Sequence, residues 1–192
     1  MLHTTFALAH EARACTEGYR KLAKHLGVQN YGKNKPIPLS VVVESNGLQD
    51  ALWCLRCTIE PLEVVENILI EFACRCAEHT LHFFEDKFPE DRRPRQAIEA
   101  ARAVAKGGGS AYAAADAAYA ADAAYAAAYA ADAAHAADAA HAADAAAYAA
   151  AYAAHAADAA HASYAAYAAH AAEQEWQTQT FLELLNKKQS WL

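Results

Sequence analysis

Apolar residues in the first half of the chain recur at helical spacing. Between Pro61 and Phe88 they fall at intervals near 3.6 residues, with glutamates at several intervening positions; the apolar set is Leu62, Val65, Leu69, Phe72, Cys76 and Phe83. This period is that of an amphipathic helix with one buried face. The pattern therefore predicts a long helix that begins at Pro61.

Start and stop signals predict shorter helices before this one. Two short helices precede Gly27, the second with Thr16 as its N-cap and the glycine as its stop. Residues 28–38 are basic and rich in proline, which is typical of a loop. The valine run 41–43 has strand propensity, but Pro38 suits a first helical turn and Asn46-Gly47 suits a helix end, so we predict a short helix here.

Two further helices follow from the same signals. One is predicted from Asp50 to Cys57, before Pro61. The charged residues between Pro89 and Pro94 form a break, after which Arg95 to Lys106 is predicted to be helical. Three glycines at 107–109 end that helix, and Ser110 is well placed as the next N-cap.

Residues 111–172 have a different pattern, with 42 Ala, 8 Tyr, 6 Asp, 5 His and one Ser. Alanine has the best intrinsic helix propensity, and no Gly or Pro interrupts the run, so the segment is predicted to be helical. A single helix of this length would be about 90 Å long. Because that is too long for a compact chain of 192 residues, we expect it to fold back at least once, with 129–147 as the favoured interval.

Ordinary apolar residues return after Glu173 and predict that the last helix continues and docks on the rest of the protein; they are Trp176, Phe181, Leu182, Leu184, Leu185 and Trp191. The predicted fold class is all-α, a helical bundle with a long alanine-rich helical hairpin or multi-helix tail. We expect an N-terminal helical unit over 1–106 and an alanine-rich region over 107–192 packed on it, either as two units or as one continuous domain.

Charge is distributed unevenly between these halves. Residues 1–106 carry 14 basic and 14 acidic side chains, whereas residues 107–192 carry 2 basic and 9 acidic ones, so the net charge of −7 lies in the second half. Such a surface repels nucleic acid and favours a protein partner with a basic surface. We find no secretory signal and no apolar run of membrane-spanning length. Five cysteines without such a signal predict reduced thiols and a cytoplasmic location.

Two sets of residues invite a metal-binding interpretation. Cys54 and Cys57 with Cys74 and Cys76 supply four thiols, but inside helices residues two apart point about 200° away from each other, which favours buried apolar thiols. In the alanine segment, Asp132 precedes a set of Asp and His residues at mostly three-residue steps that could form metal sites between helices: His135, Asp138, His141 and Asp144, continued by His155, Asp158 and His161. Metal remains open there, but paired or solvated side chains are favoured, followed by contact with a basic partner, and we predict neither a metal nor a cofactor.

Arg92, Arg93, Arg95 and Arg102 form a basic cluster at a helix start. Pairing with Glu90, Asp91 and Glu99 close by is the favoured interpretation, since the local charges nearly cancel. An acidic partner is the alternative, and the partner surface could equally be the acidic tail of the same chain or of a second copy, which leaves a homo-oligomer open. The candidate partner-binding residues are therefore Arg92, Arg93 and Arg95 together with the Asp and His residues between 132 and 144.

No catalytic constellation emerges from the sequence. Lys106-Gly-Gly-Gly-Ser110 is not a phosphate-binding loop, because the order Gly-x-x-x-x-Gly-Lys-Ser/Thr is missing. The nucleophile turn Gly-x-Ser-x-Gly is missing as well. We therefore predict a binding protein without catalytic residues.

Several motifs resemble the immunity proteins of bacterial and phage gene clusters, the immunity-protein-five-like group. These motifs spread over most of residues 10–172 and precede a similar alanine-rich tail: Ala14–Tyr19, Lys35–Leu39, Asn46–Arg56, Phe72–Glu78 and Asp91–Arg102. The resemblance implies an all-helical cytoplasmic protein that neutralises a partner toxin or effector by binding it, and it transfers no site residues. The alternative function is capture of a small ligand or metal between alanine helices by Tyr, His and Asp.

Overall fold

The computed structural model describes residues 1–27, 31–86, 88–107 and 165–186. Within these ranges the fold is helical, and the predicted all-α class is confirmed. The helices in chain order are α1 (Phe6–Glu11), α2 (Thr16–Leu26), α3 (Leu39–Asn46), α4 (Leu48–Cys54), α5 (Leu62–Glu85), α6 (Arg93–Ala105) and α7 (Ala165–Asn186), with a 3-10 turn at Leu55–Cys57 after α4.

A small antiparallel sheet ties the N-terminus to the start of α3. Strand β1 (His3–Thr4) pairs with β2 (Ile37–Pro38), with His3 opposite Pro38 and Thr4 opposite Ile37. The predicted loop over 28–38 is therefore wrong at its C-terminal end, where Ile37 and Pro38 form strand β2. Each strand has only two residues, too few for an alternating pattern. Leu2, next to β1, is fully buried, and its carbonyl accepts a hydrogen bond from Leu39 N–H at 2.9 Å.

The ends of α2 agree with the sequence signals to within one residue. Gly27 follows α2 in the left-handed region, at a φ of 67°, as a helix stop requires. The N-cap is Cys15 and not Thr16, because the Cys15 Sγ accepts the Gly18 N–H at 3.2 Å. Thr16 is instead the first residue of the helix.

The other predicted helices before and after the central one are also present. Helix α3 forms over the valine run, which confirms the helical prediction there, and Gly47 separates it from α4 at a φ of 97°. The helix expected from Asp50 to Cys57 is α4 followed by the 3-10 turn. Helix α6 begins two residues earlier than predicted, at Arg93, with Pro94 in its first turn.

Helix α5 is the centre of the packing. It lies against α6 on one side and α7 on another, while α7 also reaches α3. The periodicity correctly predicts the buried residues Val65, Leu69, Phe72 and Cys76. The prediction that Leu62 lies on the buried face is wrong, since this side chain is 44% exposed. The largest fully buried side chains are Phe72, Phe181, Leu2, Ile37, Leu39, Leu52, Leu55, Leu69, Ile98 and Leu185.

The C-terminal helix docks as its apolar residues predict. Phe181, Leu184 and Leu185 of α7 are buried, and the Phe181 ring lies edge-on to that of Phe72 with centroids 5.2 Å apart. Trp191, the predicted turn over 129–147 and most of the alanine segment lie outside the described residues. Among the helices that are described, none is long and apolar enough to cross a membrane.

Candidate functional site

The basic cluster at the start of α6 is engaged in ion pairs. Arg93 binds Asp91 through its Nε at 2.9 Å and its Nη2 at 2.6 Å, which is one of the pairs expected from the sequence. These hydrogen bonds lower the pKa of Asp91 to about 2. Arg95 instead binds Glu85 at the end of α5, with two hydrogen bonds of 2.7 and 2.6 Å. The expected partners Glu90 and Glu99 take no part in these two pairs.

Arg102 lies at the middle of a larger network that joins three helices. Its Nε is 3.0 Å from Glu71, and its two terminal nitrogens donate to Glu78 at 2.7 and 2.8 Å. Glu71 also accepts a hydrogen bond from Arg75 at 2.9 Å, and Arg75 reaches Glu183 of α7 at 3.6 Å. The hydrogen bonds from Arg102 lower the pKa of Glu78, and that carboxylate in turn raises the pKa of the Arg102 guanidinium.

Arg92 differs from its neighbours. It is exposed, and within the part of the chain that the structure describes its side chain forms no hydrogen bond or ion pair. Of the three arginines proposed as partner-binding residues, Arg92 is therefore the most available, Arg93 keeps a side chain that is 55% exposed, and Arg95 is tied to α5. The other candidates, Asp132, His135, Asp138, His141 and Asp144, lie outside the described residues.

A buried carboxylate fastens α7 to α5, which the sequence did not indicate. Glu173 is only 4% exposed, and its Oε2 lies 2.7 Å from His79 Nδ1, the geometry of an imidazole N–H that donates to the carboxylate. Gln177 donates to the other oxygen at 2.9 Å. The His79 ring also stacks on Trp176 at a centroid distance of 3.7 Å. These contacts fix the position of α7 against α5.

The cysteines of the two pairs are buried, as predicted, whereas Cys15 is exposed. Cys57 Sγ donates to the Cys54 carbonyl at 3.3 Å, and Cys74 Sγ donates to the Ile98 carbonyl at 3.7 Å. Burial raises the pKa of the Cys74 thiol to about 12 and that of Cys76 well above its usual value. The described residues contain no group of three or more His, Cys, Asp or Glu side chains arranged to hold a metal ion.

A cavity of about 320 Å³ lies between the first four helices, with Phe6, Leu22 and Trp53 on its apolar walls and Tyr19 and Asp50 among its polar groups. Sequence reasoning missed it, because it is bounded by residues of four separate helices that share no motif. The one available signal was Asp50 in the first turn of a short apolar helix.

Ion pairs join α5 to α6 and α5 to α7, so these three helices form one helical scaffold. Its sequence belongs to the Imm-5 like putative immunity protein family, whose model matches residues 65–184. This range begins at the fourth residue of α5 and ends within α7. It therefore starts and ends later than the range 10–172 expected from the motifs. The motifs at 14–19, 35–39 and 46–56 lie outside the matched range. No curated protein and no solved structure matches the chain.

Proposed function

We propose that this protein is an immunity protein that binds and neutralises a protein toxin or effector. The observation that carries the proposal is the family match over residues 65–184, which spans α5, α6 and the docked part of α7. Neutralisation by binding requires a stable scaffold and an exposed contact surface. The network around Arg102 and the Glu173–His79 contact supply the stability.

Action by binding alone is favoured by the state of two buried thiols and two paired arginines. Burial keeps the Cys74 and Cys76 thiols in their neutral, poorly nucleophilic form. Arg95 and Arg102 are held by carboxylates within the bundle, so they are poorly placed to stabilise charge on a substrate. The role we propose is therefore that of a stoichiometric inhibitor without a cofactor.

The contact surface we propose is the acidic alanine segment. Its repeated Asp132, Asp138 and Asp144, with His135 and His141 between them, supply negative charge without any Lys or Arg nearby in the sequence. A partner with a basic surface complements this charge, which speeds association and favours the correct partner. Arg92 and Arg93, both exposed at the start of α6, together with Arg95 form a second candidate contact for acidic groups of the same partner.

Two wider features belong to the same proposal. We place the protein in the cytoplasm, where its five reduced cysteines would persist. The helical unit 1–106 and the region 107–192 act as one assembly, since α7 from the second packs on α3 and α5 from the first.

The proposal is tested by capture followed by a growth assay. The tagged full chain is used to isolate its partner from the native host, and the captured protein is then expressed alone or with the chain in a sensitive strain. Growth arrest by the partner alone and recovery on co-expression are expected. Arrest that persists at equal expression of both proteins, or a captured protein without toxicity, overturns the function.

A matched pair of triple variants tests the surface. Asp132, Asp138 and Asp144 are changed to Asn in one variant, and Asp116, Asp122 and Asp158 in the other, so each loses three charges from the same tract. We expect the first variant to weaken partner binding by about tenfold or more and the second by clearly less. Equal losses would assign the effect to overall charge and remove 132–144 as the contact.

A further inference from the structure

The cavity near the N-terminus lies outside the family match and is independent of the proposed function. Its volume of about 320 Å³ is at the lower end of that of small-molecule sites, roughly 300–1,000 Å³. Phe6, Leu22, Val42 and Leu52 are buried and form its apolar floor, and Trp53 lies at its side. Such a floor accepts a ring or a branched aliphatic group.

A carboxylate without a cationic partner lies on the wall of this cavity. Asp50 accepts a hydrogen bond from Asn46 Nδ2 at 2.6 Å through its Oδ2. Among the residues whose positions are described, it receives no other hydrogen bond and forms no ion pair. The cation on the wall, Arg56, is held elsewhere, since its guanidinium lies 5.0 Å from the Trp53 ring centroid and its Nε donates to the Trp53 carbonyl.

Gly18 allows α2 to lie close to that carboxylate. A Cβ at this position would lie 2.8 Å from Asp50 Oδ2, which is too close, and 3.2 Å from Cys15 Sγ, which is a tight contact. Asn46 Nδ2 also donates to the Gly18 carbonyl at 2.9 Å and so fixes the approach. The Tyr19 hydroxyl, one residue further along α2, forms no hydrogen bond to any described residue and is a second polar group on the same wall.

We propose that this cavity binds a small primary amine with an apolar body. The ring or branched chain occupies the space between Phe6, Leu22 and Trp53, and the ammonium group donates to the unoccupied oxygen of Asp50. A charged hydrogen bond of this kind is stronger than a neutral one and sets the preference for a cation. The Tyr19 hydroxyl oxygen accepts a hydrogen bond from a second N–H of the same ammonium group.

Calorimetric titration of the full chain with three probes of similar shape tests the charge preference. Phenethylamine carries the ammonium group, 2-phenylethanol is its neutral counterpart, and 3-phenylpropanoate is its anionic one. We expect phenethylamine to bind about tenfold or more tightly than the alcohol, and the anion most weakly. Equal affinity for the three, or no binding of phenethylamine, overturns the proposal.

Two variants and one chemical readout test the position. Asp50→Asn should reduce phenethylamine binding to the level of the alcohol, whereas Glu17→Gln, which removes an exposed charge of α2 outside the cavity, should leave it unchanged. Cys15 is exposed and lines the cavity, so bound phenethylamine should slow its alkylation by iodoacetamide.

Ala9→Phe fills the cavity from α1 and should abolish both binding and protection, and it keeps the test decisive if Asp50→Asn does not fold. Binding that survives Ala9→Phe, or that leaves Cys15 alkylation at its original rate, would place the amine elsewhere on the protein and overturn the assignment.

Discussion

At the residue scale, the arginines of α6 show how partners are chosen by packing and not by sequence distance. Arg93 pairs with Asp91 two residues away, but Arg95 pairs with Glu85 and Arg102 with Glu71 and Glu78 of the preceding helix. Helices α5 and α6 lie side by side, so their facing residues meet although they are 10 to 31 positions apart. The pairs therefore stabilise the contact between two helices.

The removal of Arg102 should destabilise the fold. We expect Arg102→Ala to lower the free energy of unfolding by about 1–3 kcal/mol, because Glu71 and Glu78 both lose a donor in a partly buried place. Urea unfolding of the variant measures the loss. Arg92→Ala, which removes an exposed side chain that makes no hydrogen bond in the described ranges, is the control and should stay within about 0.5 kcal/mol of the original chain.

The same pairs predict a loss of stability in acid. The hydrogen bonds from Arg102 and Arg95 hold the pKa values of Glu78 and Glu85 below their ordinary value of 4.5. For such depressed values the stabilisation is complete above the unfolded-state pKa and is lost as pH falls through the folded-state pKa. The free energy of unfolding should therefore decline as the pH falls below about 5, where the unfolded chain begins to bind protons that the folded protein does not.

Glu78→Gln should make that decline shallower, because one of the depressed groups is gone. Glu63→Gln, an exposed glutamate at the start of α5 for which no ion pair with a described residue is present, is the matched control and should leave the slope unchanged. Urea midpoints measured across the pH range decide the matter, and identical slopes for the two variants would refute the assignment of the acid loss to Glu78.

At the residue scale, the sequence predicted which side chains are buried or paired locally, but it did not predict the contacts between distant residues. The burial of the paired cysteines follows from their place on helices, and the Arg93–Asp91 pair follows from their proximity. The Cys15 cap was missed because Thr16 is the more usual capping residue. The Glu173–His79 contact and the cavity around Asp50 join residues that the fold brings together, so no local pattern could indicate them.

At the element scale, Phe181 is the largest fully buried side chain of helix α7. Phe181 is fully buried against Phe72, so Phe181→Ala should cost about 3–5 kcal/mol of unfolding free energy through lost burial and the cavity that remains. Gln174→Ala on the exposed face of the same helix should change it by less than about 0.5 kcal/mol. Chemical denaturation measures the unfolding free energy of both variants. If Phe181→Ala lowered it as little as Gln174→Ala does, the Phe181–Phe72 contact would not be what holds α7.

The helices themselves were largely predictable. Apolar spacing gave α5, and capping and stop signals gave α2, α3 and α6 to within about two residues, which is the usual uncertainty at helix ends. The valine run became helix α3 because its flanking Pro38 and Gly47 outweigh the strand propensity of valine. The sheet was not predictable, since each strand has only two residues and the two strands are more than 30 positions apart in the sequence.

At the scale of the whole molecule, charge and family membership point to the same function. Family membership supports the proposed role in immunity, and the second half of the chain carries the net charge of −7, a sign that would complement the basic partner we propose. Association through such a surface is weakened by salt, because exposed charges are screened. The affinity for the captured partner should therefore fall as ionic strength rises, and an affinity that salt leaves unchanged would exclude the acidic segment as the main contact.

The most direct measurement of the proposed function is a titration of the partner's toxic activity with the purified full chain. An inhibitor that acts by binding should abolish the activity in proportion to the amount added, with complete loss at a fixed stoichiometric ratio, and the activity should return when the complex is dissociated. Activity that persists with the chain in excess would contradict neutralisation. Loss of activity at amounts far below that ratio would show that the chain inactivates its partner by catalysis.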